Sequence, residues 1–254
     1  MLKRGQVSVF AIVGLVAVLA IVLVFFLFRE YQDKARLITN PKEYLKSQLV
    51  DIKRVVSNCV DENTKSELQR LYDGGGHLNP IRYTDYYGKK VTFLCYKVKD
   101  NKPCYNMMFD EVSVGMELRS VLGGEIKNCV DSGLEKFKHM DYEINTGKFS
   151  FGDIVFEGET LLINIDYPIK LSKDVFVEEE DTFNVVMKTD FWDIAGLVSS
   201  VVNMEALGAS VDLVDMNSNS NDYEIGRTVV EGGNVYMIAP RNGEGSVFYF
   251  AVEK

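Results

Sequence analysis

Twenty-two consecutive residues near the start of the chain, Val7 to Phe28, carry no charge, and Ser8 is their only polar side chain. At about 1.5 Å per residue, a helix of that length matches the roughly 30 Å hydrocarbon core of a bilayer. Lipid offers no partner to unpaired backbone groups, so a helix is the conformation the run predicts. The sequence is therefore read as a short basic tail at residues 1–6, a transmembrane helix at 7–28 contacting membrane lipid, a stalk at 29–40, and a tethered domain.

About 225 residues follow the run, enough for one large or two small cores. With 46% hydrophobic and 26% charged residues and only five prolines, this is the composition of a folded domain rather than a disordered one. A net charge of −9 argues against nucleic acid as a partner, because that binding rests on neutralising phosphates.

The four cysteines, Cys59, Cys95, Cys104 and Cys129, contain no CxxC pair, and the only histidines are His77 and His139. The usual close spacing of a zinc site is missing. An even number of cysteines suits two disulfides in an oxidising compartment, with three pairings open. Basic residues stand on both sides of the apolar run: Lys3 and Arg4 before it, Arg29, Lys34 and Arg36 after it. A short basic tail before an apolar segment is built like a signal anchor, and large domains translocate largely regardless of nearby charge. The expected topology has the N-terminus in the cytoplasm and the C-terminal domain outside the cell membrane.

The stretch Lys3-Arg4-Gly5-Gln6-Val7-Ser8 resembles the class III signal peptide of archaeal type IV pilin-like proteins. In that family a basic pair and a small residue precede a cleavage point, followed by Gln and an apolar helix. The resemblance covers about the first 28 residues. It implies processing between Gly5 and Gln6, retention of the apolar helix, and possible self-assembly. Phe10 stands where many members of that family carry Glu.

Beyond Pro41, apolar residues from Tyr44 to Val60 recur at helical spacing, with a second helical stretch from Lys65 to Tyr72. Thr39 or Asn40 offers a cap, and Pro41 suits the first helical position. Gly74-Gly75-Gly76 reads as a helix stop and turn, since no GK[ST] follows it as a phosphate loop would require. Val91 to Val98 reads as a strand, Asp100 to Pro103 as a turn, and Cys104 to Phe109 as the returning strand. Glu111 to Leu122 is helical. Val56-Ser57-Asn58-Cys59-Val60-Asp61 is echoed by Ile126-Lys127-Asn128-Cys129-Val130-Asp131. Taken as a duplication, the echo favours a Cys59–Cys129 bridge between two helices and a Cys95–Cys104 bridge closing the hairpin.

The second half is rich in strands: Lys148 to Glu157, Thr160 to Leu171 and Val175 to Lys188, the first two joined by a Gly158-Glu159 turn. An acidic run, Glu178 to Asp181, lies inside the third and reads as a solvated edge. Thr189 or Asp190 caps an amphipathic helix carrying Phe191, Ile194, Ala195, Val198, Val201 and Val202 on one face. Asp215 to Asp222 alternates oxygen ligands in the manner of a calcium loop, yet lacks the glycine at the sixth position and the glutamate at the twelfth. The closing VFYFAV segment is apolar on both faces, as a central strand would be.

The fold class expected is α+β: an N-terminal transmembrane helix, then a mixed helical and antiparallel-sheet ectodomain. A helix-rich cysteine-containing subdomain at 41–146 would precede a strand-rich one at 147–254. The chain shows no GxSxG, HExxH, Walker A or dinucleotide fingerprint. The functional expectation is a non-enzymatic structural or binding role at the cell surface, without a cofactor. The alternatives are a pilin-like filament subunit and an anchored hydrolase built on a carboxylate pair or on a site with His77 or His139.

Overall fold

The computed structural model describes residues 14–25, 39–97, 104–138 and 140–254. Residues 14–25 are helical with exposed apolar side chains. The expected transmembrane helix over 7–28 is corrected here: among the described residues no helix is long and apolar enough to cross a membrane. The tail with Gly5 and Gln6, most of the stalk, the Asp100–Pro103 turn and His139 lie outside the described residues.

The remainder is α+β, organised around a single long helix. This helix, α1 (Pro41–Gly74), runs 34 residues where the sequence predicts two segments. Pro41 occupies its first turn, and Asn40 stands at its N-cap without a side-chain capping bond. Ile52, Val56, Cys59 and Val60 continue into Leu68, Leu71 and Tyr72 as one buried stripe, so packing bridges the polar stretch between them. The glycine run ends it. Gly75 takes the left-handed conformation at φ 71° and its N–H bonds Leu71 O, and the Gly76 N–H bonds the same carbonyl at 2.8 Å.

Gly76 is doubly constrained. Its φ is +85°, and a Cβ there would lie 2.1 Å from the Phe109 ring. Gly76→Ala is expected to cost about 3 kcal/mol, combining left-handed strain with overpacking. Gly88, at φ +79° with nothing within 4 Å of an added Cβ, should lose only the strain part, about 1–2 kcal/mol. Denaturant midpoints of the two variants measure the difference, and equal losses would remove the packing argument.

After α1 come β1 (Tyr83–Tyr86), β2 (Lys89–Tyr96) and the two-residue β3 (Tyr105–Asn106). Helix α2 (Glu111–Leu134) then passes straight through Gly123-Gly124, beyond the stop expected at Leu122. Its start is fixed by a reciprocal capping box between Asp110 and Ser113. It lies close along α1: a Cβ on Gly133 would meet Val55 Cγ1 at 2.4 Å. The 3₁₀ turn Glu135–Phe137 leads to β4 (Glu143–Thr146), β5 (Ser150–Glu157), β6 (Thr160–Lys173) and β7 (Phe176–Lys188). Helices α3 (Phe191–Ala206) and α4 (Leu213–Asn219) precede β8 (Tyr223–Val230), β9 (Gly233–Pro240) and β10 (Phe248–Glu253).

Two sheets result. The first has the order β1-β2-β10-β9-β8, with β3 also on β2; the second sets β4, β5 and β7 around β6. β10 is central, as its two-sided apolar pattern implies, but it pairs parallel with β2. The sheet is therefore mixed rather than antiparallel, because the chain makes both α2 and the whole second sheet before returning. The first sheet joins β2 to β10 across most of the chain, and one buried cluster runs from Tyr44 to Val252.

The edges of the sheets are treated unequally. On β5, Glu111 Oε1 accepts from Phe156 N at 3.2 Å and Arg119 Nη2 donates to Phe151 O at 2.9 Å. On β8, the Asn217 amide accepts from Ile225 N at 2.7 Å and donates to Ile225 O at 2.9 Å, the two bonds a neighbouring strand would make. β1 is only four residues long. β7, at 13 residues, pairs with β6 on one side, and on the other no hydrogen bond reaches its backbone among the described residues.

Candidate functional site

Of the sequence-derived candidates, the four cysteines are placed fully. Cys59 and Cys129 are bonded, with Cα atoms 5.7 Å apart, and join α1 to α2. Cys95 and Cys104 are bonded, with Cα atoms 5.2 Å apart, and join β2 to the strand region after it. These are the pairs that the six-residue echo favoured among the three open. No cysteine is free.

His77 is held in a structural contact. Its Nδ1 lies 2.8 Å from Glu117 Oε1, while Glu117 Oε2 accepts from Leu78 N at 2.7 Å. Burial raises the Glu117 carboxyl, but the bonds from His77 and Leu78 outweigh it and hold the group below its ordinary value. Among the described residues, no group of three or more His, Cys, Asp or Glu side chains is placed to hold a metal. The stretch read as a calcium-like loop contains α4, where Asn217 turns to β8 and Asp215 accepts from Asn219 at 3.1 Å.

A site that no motif announces lies where the two sheets meet. The β5–β6 turn, the end of β7, the start of α3, the start of β8 and the β9–β10 loop enclose a cleft of about 780 Å³. Glu159, Asp190, Asp193 and Asp222 bring four carboxylates to it, with Lys188 and Tyr223 beside them. Asp190 sits at the N-cap of α3 but makes no side-chain capping bond. Its two oxygens are taken instead by tyrosines: Tyr72 OH donates to Oδ1 at 2.5 Å and Tyr223 OH to Oδ2 at 3.2 Å. Burial first, and then the neighbouring Asp190 carboxylate, push both phenols well above their ordinary pKa of 10. Both therefore stay protonated and act as donors to Asp190. The remaining acids are exposed and leave the cleft able to take a cationic group.

The floor beneath this cleft is aromatic. Phe191 is fully buried, and its ring lies 5.4–6.0 Å from those of Tyr72, Phe109, Phe156, Trp192 and Phe248. Edge-to-face and offset arrangements at these distances are favourable beyond the area they bury. The sequence marks Asp190 as a helix cap, whereas nothing in it points to Tyr72, 118 positions earlier.

The buried phenols set the alkaline limit of the fold. Tyr236, buried and donating to Glu205, is pushed up to about 12. Burial raises Tyr142 and Tyr72 as well. The unfolded chain ionises its tyrosines near 10, so above that pH it releases protons that the folded chain retains. Stability is complete below about pH 10 and falls above it by about 1.4 kcal/mol per pH unit for each such tyrosine. Denaturant unfolding between pH 9 and 12, followed together with phenolate absorbance, should show these tyrosines ionising only as the chain unfolds. Tyrosines that ionised completely in a still-folded chain would contradict this. No family model, no curated protein and no solved structure matches this chain.

Proposed function

We propose that this chain acts outside the cytoplasm, at the cell surface, in a non-enzymatic structural or binding role. The observation that carries the reading is the pair of disulfides, each linking elements of the core, with no free cysteine. Such bonds persist in oxidising compartments and are rare where glutathione keeps thiols reduced. One carboxylate of the cleft also has a structural use, since both oxygens of Asp190 anchor tyrosines. The test is alkylation of protein purified from its native source, with and without reductant. Four added masses only after reduction support the reading, and four reactive thiols without reductant would reject it.

Two alternatives rest on separate observations. The exposed apolar side chains of residues 14–25 favour a filament subunit, which predicts a mature N-terminus at Gln6 by intact mass and assemblies of high mass. The four carboxylates of the cleft favour a hydrolase. That reading predicts turnover of glycoside or ester substrates, abolished by Glu159→Gln or Asp193→Asn.

A further inference from the structure

The unequal treatment of the sheet edges leaves one strand equipped for pairing. The long edges of β5 and β8 are occupied by side chains that imitate a neighbouring strand, through Glu111 and Arg119 on the first and Asn217 on the second. β7 is longer than either and has no such cover among the described residues. Beside it, α1 and β7 enclose a groove of about 360 Å³. Lys53, Val56 and Ser57 line it from the helix, and Thr182, Asn184 and Val185 from the strand. No residue of β6 lines it, so the groove opens on the unpaired side of β7. An open strand edge running beside a helix is the geometry in which extended peptides add to sheets.

We propose that the edge of β7 takes an extended segment of another protein as an added strand, seated against α1 and carrying basic residues at one end. The backbone of β7 supplies unpaired N–H and C=O groups, which give affinity without demanding a particular sequence. The apolar floor of the groove is Val56 with Phe183 and Val185, all buried. Charge fixes the chemistry of one end. Glu178, Glu179, Glu180 and Asp181 lie in the first half of the strand; Lys53 pairs with Glu180 at 2.7 Å from across the groove, and Lys170 of β6 stands opposite Glu179 on the paired side. A segment with lysine or arginine at that end would satisfy the remaining acids, whereas an acidic one would be repelled. Either strand direction allows this, because the register can slide along an edge that lacks a plug. The proposal concerns a surface apart from the acidic cleft and stands whether or not the cellular location above is right.

The test uses the full chain and two labelled octapeptides, each with three valine–threonine pairs, one headed by two lysines and the other by two glutamates. Fluorescence anisotropy should show the lysine peptide binding with a Kd of roughly millimolar or tighter, and at least tenfold more tightly than the glutamate peptide. Hydrogen exchange should show outward amides of β7 exchanging freely in the chain alone and slowing when the peptide is added. Ser57→Trp, an exposed substitution that fills the groove, should abolish binding. Glu179→Lys combined with Asp181→Lys should reverse the preference between the peptides. Three results would overturn the proposal. One is no binding of the lysine peptide at millimolar concentration. Another is β7 amides already protected in the free chain. The third is concentration-dependent dimerisation removed by Ser57→Trp, which would give the edge to a second copy.

Discussion

Removing the Cys59–Cys129 bridge by Cys59→Ala with Cys129→Ala is expected to lower the unfolding free energy by about 4 kcal/mol. The bridge spans 70 positions, and on the chain-entropy account closing so long a loop strips that much freedom from the unfolded chain. Domains are typically stable by only about 5–15 kcal/mol, so one bond would hold a large share of the total. The Cys95–Cys104 bridge spans nine positions and should be worth roughly 2.5 kcal/mol on the same account. Urea unfolding of both double variants under oxidising conditions provides the comparison. A loss under about 1 kcal/mol for the long bridge would mean that α1 and α2 are held by packing alone.

Phe191→Ala should have a comparable effect, a loss of about 3–5 kcal/mol, from the cavity left when a fully buried ring is removed. Phe191 is the meeting point of Tyr72, Phe109, Phe156, Trp192 and Phe248, which arrive from different elements. Its loss should therefore loosen the contact between the two sheets and the floor beneath Asp190 together. Trp192 is the only tryptophan and lies 5.4 Å away by ring centroids, so its fluorescence reports the site directly. Phe191→Leu, which refills most of the volume, should recover more than half of the loss. If alanine and leucine behaved alike, the ring contacts rather than the filled volume would be the source of stability.

Much of the fold was legible because its signals are local. The periodic apolar residues of α1, the Gly75 stop, the Gly158 turn, the amphipathic face of α3 and the two-sided apolar pattern of β10 each depend on neighbours in sequence. The continuity of α1 and α2 was not legible, because it comes from burial against each other and the sheets. Gly123-Gly124 reads as a break in isolation and becomes a place of close approach once Phe151 lies beside it, 3.5 Å from an added Cβ on Gly123. The parallel pairing of β2 with β10 joins residues more than 150 positions apart and leaves no mark in either strand. The cleft was hidden for the same reason: its tyrosines and carboxylates come from four separate segments, each with an ordinary composition.

The position of β10 also dictates when the protein can be born. Phe93 pairs with Ala251, more than 150 positions later in the chain. At translation rates of about 5–20 residues per second, β2 must wait roughly 8–30 s for its inner neighbour. The short Cys95–Cys104 loop can close early in that interval, while Phe248, Phe250 and Val252 remain absent from the core they complete. Loss of the segment Phe248–Glu253 would therefore take the middle out of the sheet and leave β9 and β2 facing a gap.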